Sequence, residues 1–241
     1  MSTVASAKQG ETGKLSTGID TIDRRLGGGL EPGSLLSIVA EPAMQSEALL
    51  HQLIGMRPTL YLTTLRGSAA VKADMGSALD GDVFVESVST RETMDNELLK
   101  QMTGSGSYSP SFGGDDSPLD AVYEILSDID RELNVVIDTT NPLEEAEDKH
   151  AYREVLNELK STMLETDGLG ILHCVTLGDA PPFRDVTLTI SDVVWELDLV
   201  SANSELEYQL TIPKNRGGAP VLDETTIVID QDVWIDESRA I

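Results

Sequence analysis

The chain is short of cysteine, of basic residues, of aromatics and of long apolar runs, and each shortage excludes something. Its single cysteine, Cys174, forbids a disulfide within the chain and leaves no Cys/His set for a metal. No apolar stretch reaches the roughly 18 residues that a transmembrane helix needs. The opening, Met1 to Lys14, has no apolar core of the kind a secretory leader carries. These features predict a cytoplasmic protein. Lys and Arg together number 17, against 42 Asp and Glu, for a net charge of -25 over 241 residues. Affinity for phosphate backbones rests on Lys and Arg, so a general nucleic-acid binder is disfavoured. An anionic membrane surface is disfavoured for the same reason.

What is present is a core. Hydrophobic residues make up 40% of the chain, too many for an acidic disordered segment. The length suits one α/β domain, which at this size buries roughly 70–75% of its unfolded surface. The acids are spread from Glu11 to Glu237, lysines number 7, and aromatics are 4%. Dispersed carboxylates repel one another, but at about 1 M salt the Debye length is only ~3 Å and the repulsion is screened. The composition therefore predicts a folded protein of halophilic type.

Residues 1–14 read as a flexible polar tail, 15–237 as a single domain, and 238–241 as a second tail. The Gly/Ser/Pro-rich stretch 103–118 reads as a flexible insertion. Strand patterns at 35–39, 59–64, 83–88, 134–138 and 170–176 alternate with helical patterns at 46–56, 68–79, 91–102, 118–132 and 144–166. That order predicts βαβ units and a mainly parallel sheet covered on both faces. From Val186 the period becomes two, which predicts antiparallel strands at 186–190, 193–199, 207–212 and 226–229.

Leu15-Ser16-Thr17-Gly18-Ile19-Asp20, then Ile22-Asp23, then Leu26-Gly27-Gly28-Gly29-Leu30-Glu31-Pro32-Gly33-Ser34, closely resembles the N-terminal signature of KaiC-like and RadA-like ATPases of the RecA superfamily. The match is specific over residues 15–39. The resemblance implies a RecA-like P-loop NTPase fold, a phosphate-binding loop after the first core strand, and a helix behind that loop. In such a loop, backbone N–H groups cradle phosphate, a Lys supplies charge and a Ser/Thr holds Mg²⁺.

The loop departs from that pattern. It reads Ala40-Glu41-Pro42-Ala43-Met44-Gln45-Ser46-Glu47, with the glycines gone, Ser46 at the lysine position and Glu47 at the Mg²⁺-ligand position. Added Cβ atoms restrict close approach and positive φ. Two like charges about 4 Å apart at an effective dielectric of 20 repel by about 4 kcal/mol, roughly a thousandfold in affinity. Glu47 in a first helical turn instead favours the bare helix by about 0.3–1 kcal/mol. Ser46 and Glu47 thus read as a helix start that satisfies itself. The resemblance also places a pair of water-activating glutamates at Leu65 and Arg66, and neither residue can accept a proton.

Some pieces of the family pattern persist. Asp138 stands where the resemblance implies a Walker B acid, although an Asp can equally end a buried strand before Asn141-Pro142. Lys214 and Arg216 resemble the Lys-x-Arg-Gly segment that reaches a neighbouring subunit's nucleotide, or else decorate a solvated hairpin turn. His51, His150 and His173 share no ligand spacing, Cys174 reads as a buried thiol, and no nucleophile-elbow motif is present. No catalytic or metal-binding residue is expected. The reading is a catalytically inactive RecA/KaiC-like pseudo-ATPase, a regulatory or signalling module that binds a protein. That protein could be an active RecA/KaiC-family ATPase, and a homo-oligomer is compatible. ATP and Mg²⁺ enter only under the alternative of an ATPase with an atypical P-loop. A repair or recombination accessory related to RadA paralogues is a third reading, which the charge disfavours.

Overall fold

The structure is a computed structural model, and it describes residues 13–42, 44–76, 82–88, 117–176, 178–202, 205–229 and 233–235. The helix expected at 91–102, most of the 103–118 insertion and the 238–241 tail lie outside the described residues, as does Ala43. The strands are β1 (Leu35–Ala40), β2 (Thr59–Thr63), β3 (Val83–Ser87), β4 (Asn134–Asp138), β5 (Leu169–Val175), β6 (Val193–Ala202), β7 (Glu205–Asn215), β8 (Val221–Ile229) and β9 (Val233–Ile235). The helices are α1 (Asp20–Arg25), α2 (Glu47–Ile54), α3 (Ser68–Met75), α4 (Pro118–Ser127), α5 (Asn141–Glu144), α6 (Lys149–Thr166) and α7 (Arg184–Ile190). One sheet runs in the order β3-β2-β4-β5-β1-β6-β7-β8-β9. The pairs from β3 to β6 are parallel, and those from β6 to β9 are antiparallel.

Strand parity divides the core. Leu60, Leu62, Val135, Ile137, Leu172 and Cys174 pack with α4 and α6 on one face. Leu36, Ile38, Tyr61, Val136, Ile171 and Trp195 pack with α1 and α2 on the other. Successive strand side chains point to opposite faces, so near-continuous apolar strands are what a sheet buried on both sides requires. Each fully buried Leu or Ile contributes about 1.5–3 kcal/mol.

Two expectations are corrected. The segment 186–190 is helical, not a strand, despite alternating Val186, Leu188 and Ile190. Arg184 and Thr187 both bond the Glu144 carboxylate, and residues three apart share a face only in a helix. The antiparallel part begins later than predicted, because β6 runs parallel to β1. The 144–166 helix also divides. Glu144 ends α5, fully buried against Arg184, while Asp148 caps α6 by accepting from the His150 and Ala151 N–H groups.

The glycine-rich signature is an architectural turn. Asp23 accepts from the Ser16 and Thr17 hydroxyls at 2.6 and 2.7 Å and from the Thr17 N–H at 2.9 Å. Gly29 has φ +121°, and a Cβ there would sit 2.3 Å from the Leu15 carbonyl oxygen, across the bridge Leu15 makes with Leu30. No other residue type fits that approach.

Candidate functional site

β1 ends at Ala40, a short loop follows, and α2 begins at Glu47 behind Ser46. The Thr176 N–H donates to the Ala40 carbonyl at 2.9 Å, tying the start of the loop to the end of β5. Met44 is buried in the α2-side core, which draws the loop inward, while Glu41, Pro42, Gln45 and Glu47 are exposed. Gln45 has φ +47°. The loop keeps a left-handed residue next to the helix although the glycine has gone, at a cost of roughly 1–2 kcal/mol for an L residue.

Four buried polar side chains meet beneath this loop. Ser46 Oγ lies 2.9 Å from His173 Nε2. His173 Nδ1 lies 2.6 Å from Asp138 Oδ1, and the Tyr61 hydroxyl donates to Asp138 Oδ2 at 2.6 Å. Ser46, His173, Asp138 and Tyr61 are 3%, 2%, 8% and 2% exposed. Parity explains the meeting. Tyr61 on β2, Asp138 on β4 and His173 on β5 all face α2, and Asp138 and His173 are direct partners in the parallel register.

Protons can be placed along the chain. An ionised carboxylate only accepts, so His173 Nδ1 and the Tyr61 hydroxyl are donors. In the neutral imidazole Nε2 then accepts, and the Ser46 hydroxyl donates to it. Burial by itself pushes the Asp138 carboxyl up, but the hydrogen bond from His173, then the one from Tyr61, holds it below its ordinary value. Burial, followed by the Asp138 charge, pushes the Tyr61 phenol well above its ordinary range, which keeps it a donor.

Ser46 occupies the N-cap position of α2 but makes no side-chain cap bond. It does not satisfy its own helix start, as had been expected; its hydroxyl is committed to His173. Glu47 points to solvent, where a charge is screened. Leu65 is 64% exposed and Arg66 pairs with Asp74, so no acid stands at the end of β2.

Lys214 and Arg216 are not part of this cluster. They lie where β7 meets the start of β6, at the opposite end of β1 from the loop. Nor are they simply solvated. Lys214 Nζ donates to the Leu188 and Thr189 carbonyls at 2.7 and 2.9 Å, and Arg216 pairs with Asp192 at 3.1 Å. Lys160 also reaches Asp192, at 2.6 Å, and Lys160, Asp192 and Arg216 line a cavity of about 200 Å³ with Lys14 and Ser34. Cys174 is buried, and desolvation raises its thiol to about 11, as expected of a structural thiol.

His173 was not legible as a site residue from histidine spacing. Its signal was a single titratable group on the α2-facing parity of an otherwise apolar strand, level with another on the neighbouring strand.

A parallel sheet covered on both faces, with antiparallel strands beyond β6 and a strand–loop–helix unit at its centre, defines an α/β domain of KaiC-like, RecA-type fold. The fold is shared with a solved KaiC-like protein, PH0186, from the hyperthermophilic archaeon Pyrococcus horikoshii OT3. The match has a TM-score of 0.65 and 18% identity, and covers 92% of this chain and 98% of that one. The chain belongs to the family of unknown function DUF7125, whose model matches residues 14–241. No curated protein matches it. Among the described residues no helix is long and apolar enough to cross a membrane.

Proposed function

We propose that this chain is a KaiC-like domain with a degenerate Walker A loop that has given up ATP hydrolysis and acts as a regulatory or signalling module by binding a protein in the cytoplasm of a halophilic cell. One observation carries the loss of hydrolysis. Both oxygens of Asp138, the residue that would face Mg²⁺, are already bonded, one to His173 and the other to Tyr61. Ser46, at the lysine position, is held by the far side of the same imidazole. A Mg²⁺-nucleotide would need that chain broken and would gain no lysine in return, so the residues present do not fit it.

The partner surface is argued from the other end of the sheet. Lys214 and Arg216 cannot reach their own loop, and Arg216 is largely exposed. They offer a cationic edge on an acidic molecule, suited to an active RecA-family ATPase or to a second copy of this chain. If that edge meets nucleotide held by a neighbour, the chain takes part in nucleotide binding without a loop of its own.

Calorimetric titration of Mg-ATP and of ADP, in about 2 M KCl where charges are largely screened, tests the reading. No saturable heat is expected at millimolar nucleotide. Saturable binding with ATP turnover that disappears in Asp138→Ala would overturn it.

A further inference from the structure

We propose that Ser46, His173 and Asp138 form a nucleophilic relay, and that Ser46 accepts small neutral acyl groups from activated esters at the place where a phosphate loop would lie. This goes beyond the pseudo-ATPase reading and does not depend on the protein-binding role.

Nucleophilic serine chemistry needs a hydroxyl within reach of a base, and the base oriented by a third group. The 2.9 Å Ser46–His173 and 2.6 Å His173–Asp138 separations both fall in that range. The imidazole uses its two nitrogens on opposite sides, as the roles require. Tyr61 holds the second carboxylate oxygen, so Asp138 presents Oδ1 to His173 in one orientation. The hydroxyl stands between a strand end and a helix start, where the Ala48, Leu49 and Leu50 N–H groups already close the first turn on the Gln45 and Ser46 carbonyls. Thr139 adds a buried hydroxyl beside Asp138 that has no partner among the described residues.

The step balances. Ser46 Oγ attacks the ester carbonyl carbon and its proton passes to His173 Nε2. The Oγ–C bond forms, the bond from carbon to the leaving oxygen breaks, and the leaving alcohol takes the proton from Nε2. Water then attacks the acyl-serine, its proton passing through Nε2 to Ser46, and a carboxylic acid is released. Ser46 and His173 touch the reacting atoms; Asp138 and Tyr61 are positioning residues. Because Ser46 is 3% exposed, the relay selects a compact acyl group. Exposed Glu41 and Glu47 on either side select against an anionic one.

The test uses the full chain in about 2 M KCl, with methanesulfonyl fluoride as the covalent probe and p-nitrophenyl acetate as the ester. Intact-mass and peptide mapping are expected to place one sulfonyl group on Ser46. Ser46→Ala and His173→Gln are each expected to lower ester hydrolysis at least about 100-fold, with melting checked so that folding is not the cause. Asp138→Asn is expected to distort the pH–rate profile and to lower kcat more than it raises KM, which a merely structural residue would not do. No adduct on Ser46 in the folded wild type, or hydrolysis undiminished in folded Ser46→Ala, overturns the proposal.

Discussion

Two buried polar clusters lie near the carboxyl ends of β4 and β5, and they are built on opposite principles. On the α6 side, Glu144 and Arg184 pair at 2.8 Å, both buried. Thr187 and Tyr152 extend the cluster, and Asn141 ties it to the Val175 carbonyl at 2.7 Å. Its charges cancel and its donors end on acceptors inside the fold. On the α2 side, the Tyr61–Asp138–His173–Ser46 chain has one carboxylate and a direction, and it finishes on a hydroxyl between exposed Gln45 and Glu47. A closed, charge-balanced cluster holds elements together. A chain that ends beneath an exposed loop has a terminal group left to act.

The contrast breaks first at Arg184. Arg184→Met takes the cation away from the fully buried Glu144 carboxyl, which costs about 3–5 kcal/mol. For a domain of this size that is a fall in melting temperature of roughly 10 °C. Adding Glu144→Leu should recover much of the loss, because two apolar residues of similar volume often replace a buried pair at little cost. Thermal melts of the single and double variants in high salt measure both. A single variant that melts like the wild type would mean that the α6-side cluster does not hold α5 and α7 in place.

The same contrast explains what could be read in advance. Alternating apolar strands and amphipathic helices announced the parallel sheet, because burial on both faces forces that pattern. The loop substitutions were plain at Ser46 and Glu47. Segment 186–190 misled because Thr and Val favour strands, while the deciding bonds run from Arg184 and Thr187 to Glu144, forty or more residues away in the chain. His173 was hidden in the same way. Its partners come from β4 and from the start of α2, and only the register brings Asp138 and His173 level. Local pattern reports faces; it does not report which buried polar groups of distant strands meet.

A smaller effect separates the clusters by pH. Asp138 is held below its ordinary carboxyl value in the fold, so its stabilisation is complete above about pH 4, the unfolded value, and is lost as pH falls through the depressed folded value. Asp138→Asn should cost about 1.5–3 kcal/mol at neutral pH, the range for hydrogen bonds to a charged group. It should also flatten the acid limb of stability relative to the wild type. Urea unfolding at pH 7, 5, 4 and 3 reads both effects. Parallel curves for wild type and variant would mean that Asp138 is not ionised in its chain with His173.

The smallest effect lies in the loop over the relay. Gln45 is held at φ +47°, which costs an L residue roughly 1–2 kcal/mol. Gln45→Gly removes that strain but adds about 0.5–1 kcal/mol of chain entropy to the unfolded state. The net gain should be near 0.5 kcal/mol, a rise in melting temperature of about 1–2 °C. The substitution restores one glycine of a phosphate loop without restoring its lysine or freeing Ser46 from His173. It should therefore raise stability and leave nucleotide affinity unchanged. Tighter Mg-ATP binding in Gln45→Gly would show that backbone conformation, and not the Ser46–His173–Asp138–Tyr61 chain, is what closes the loop to phosphate.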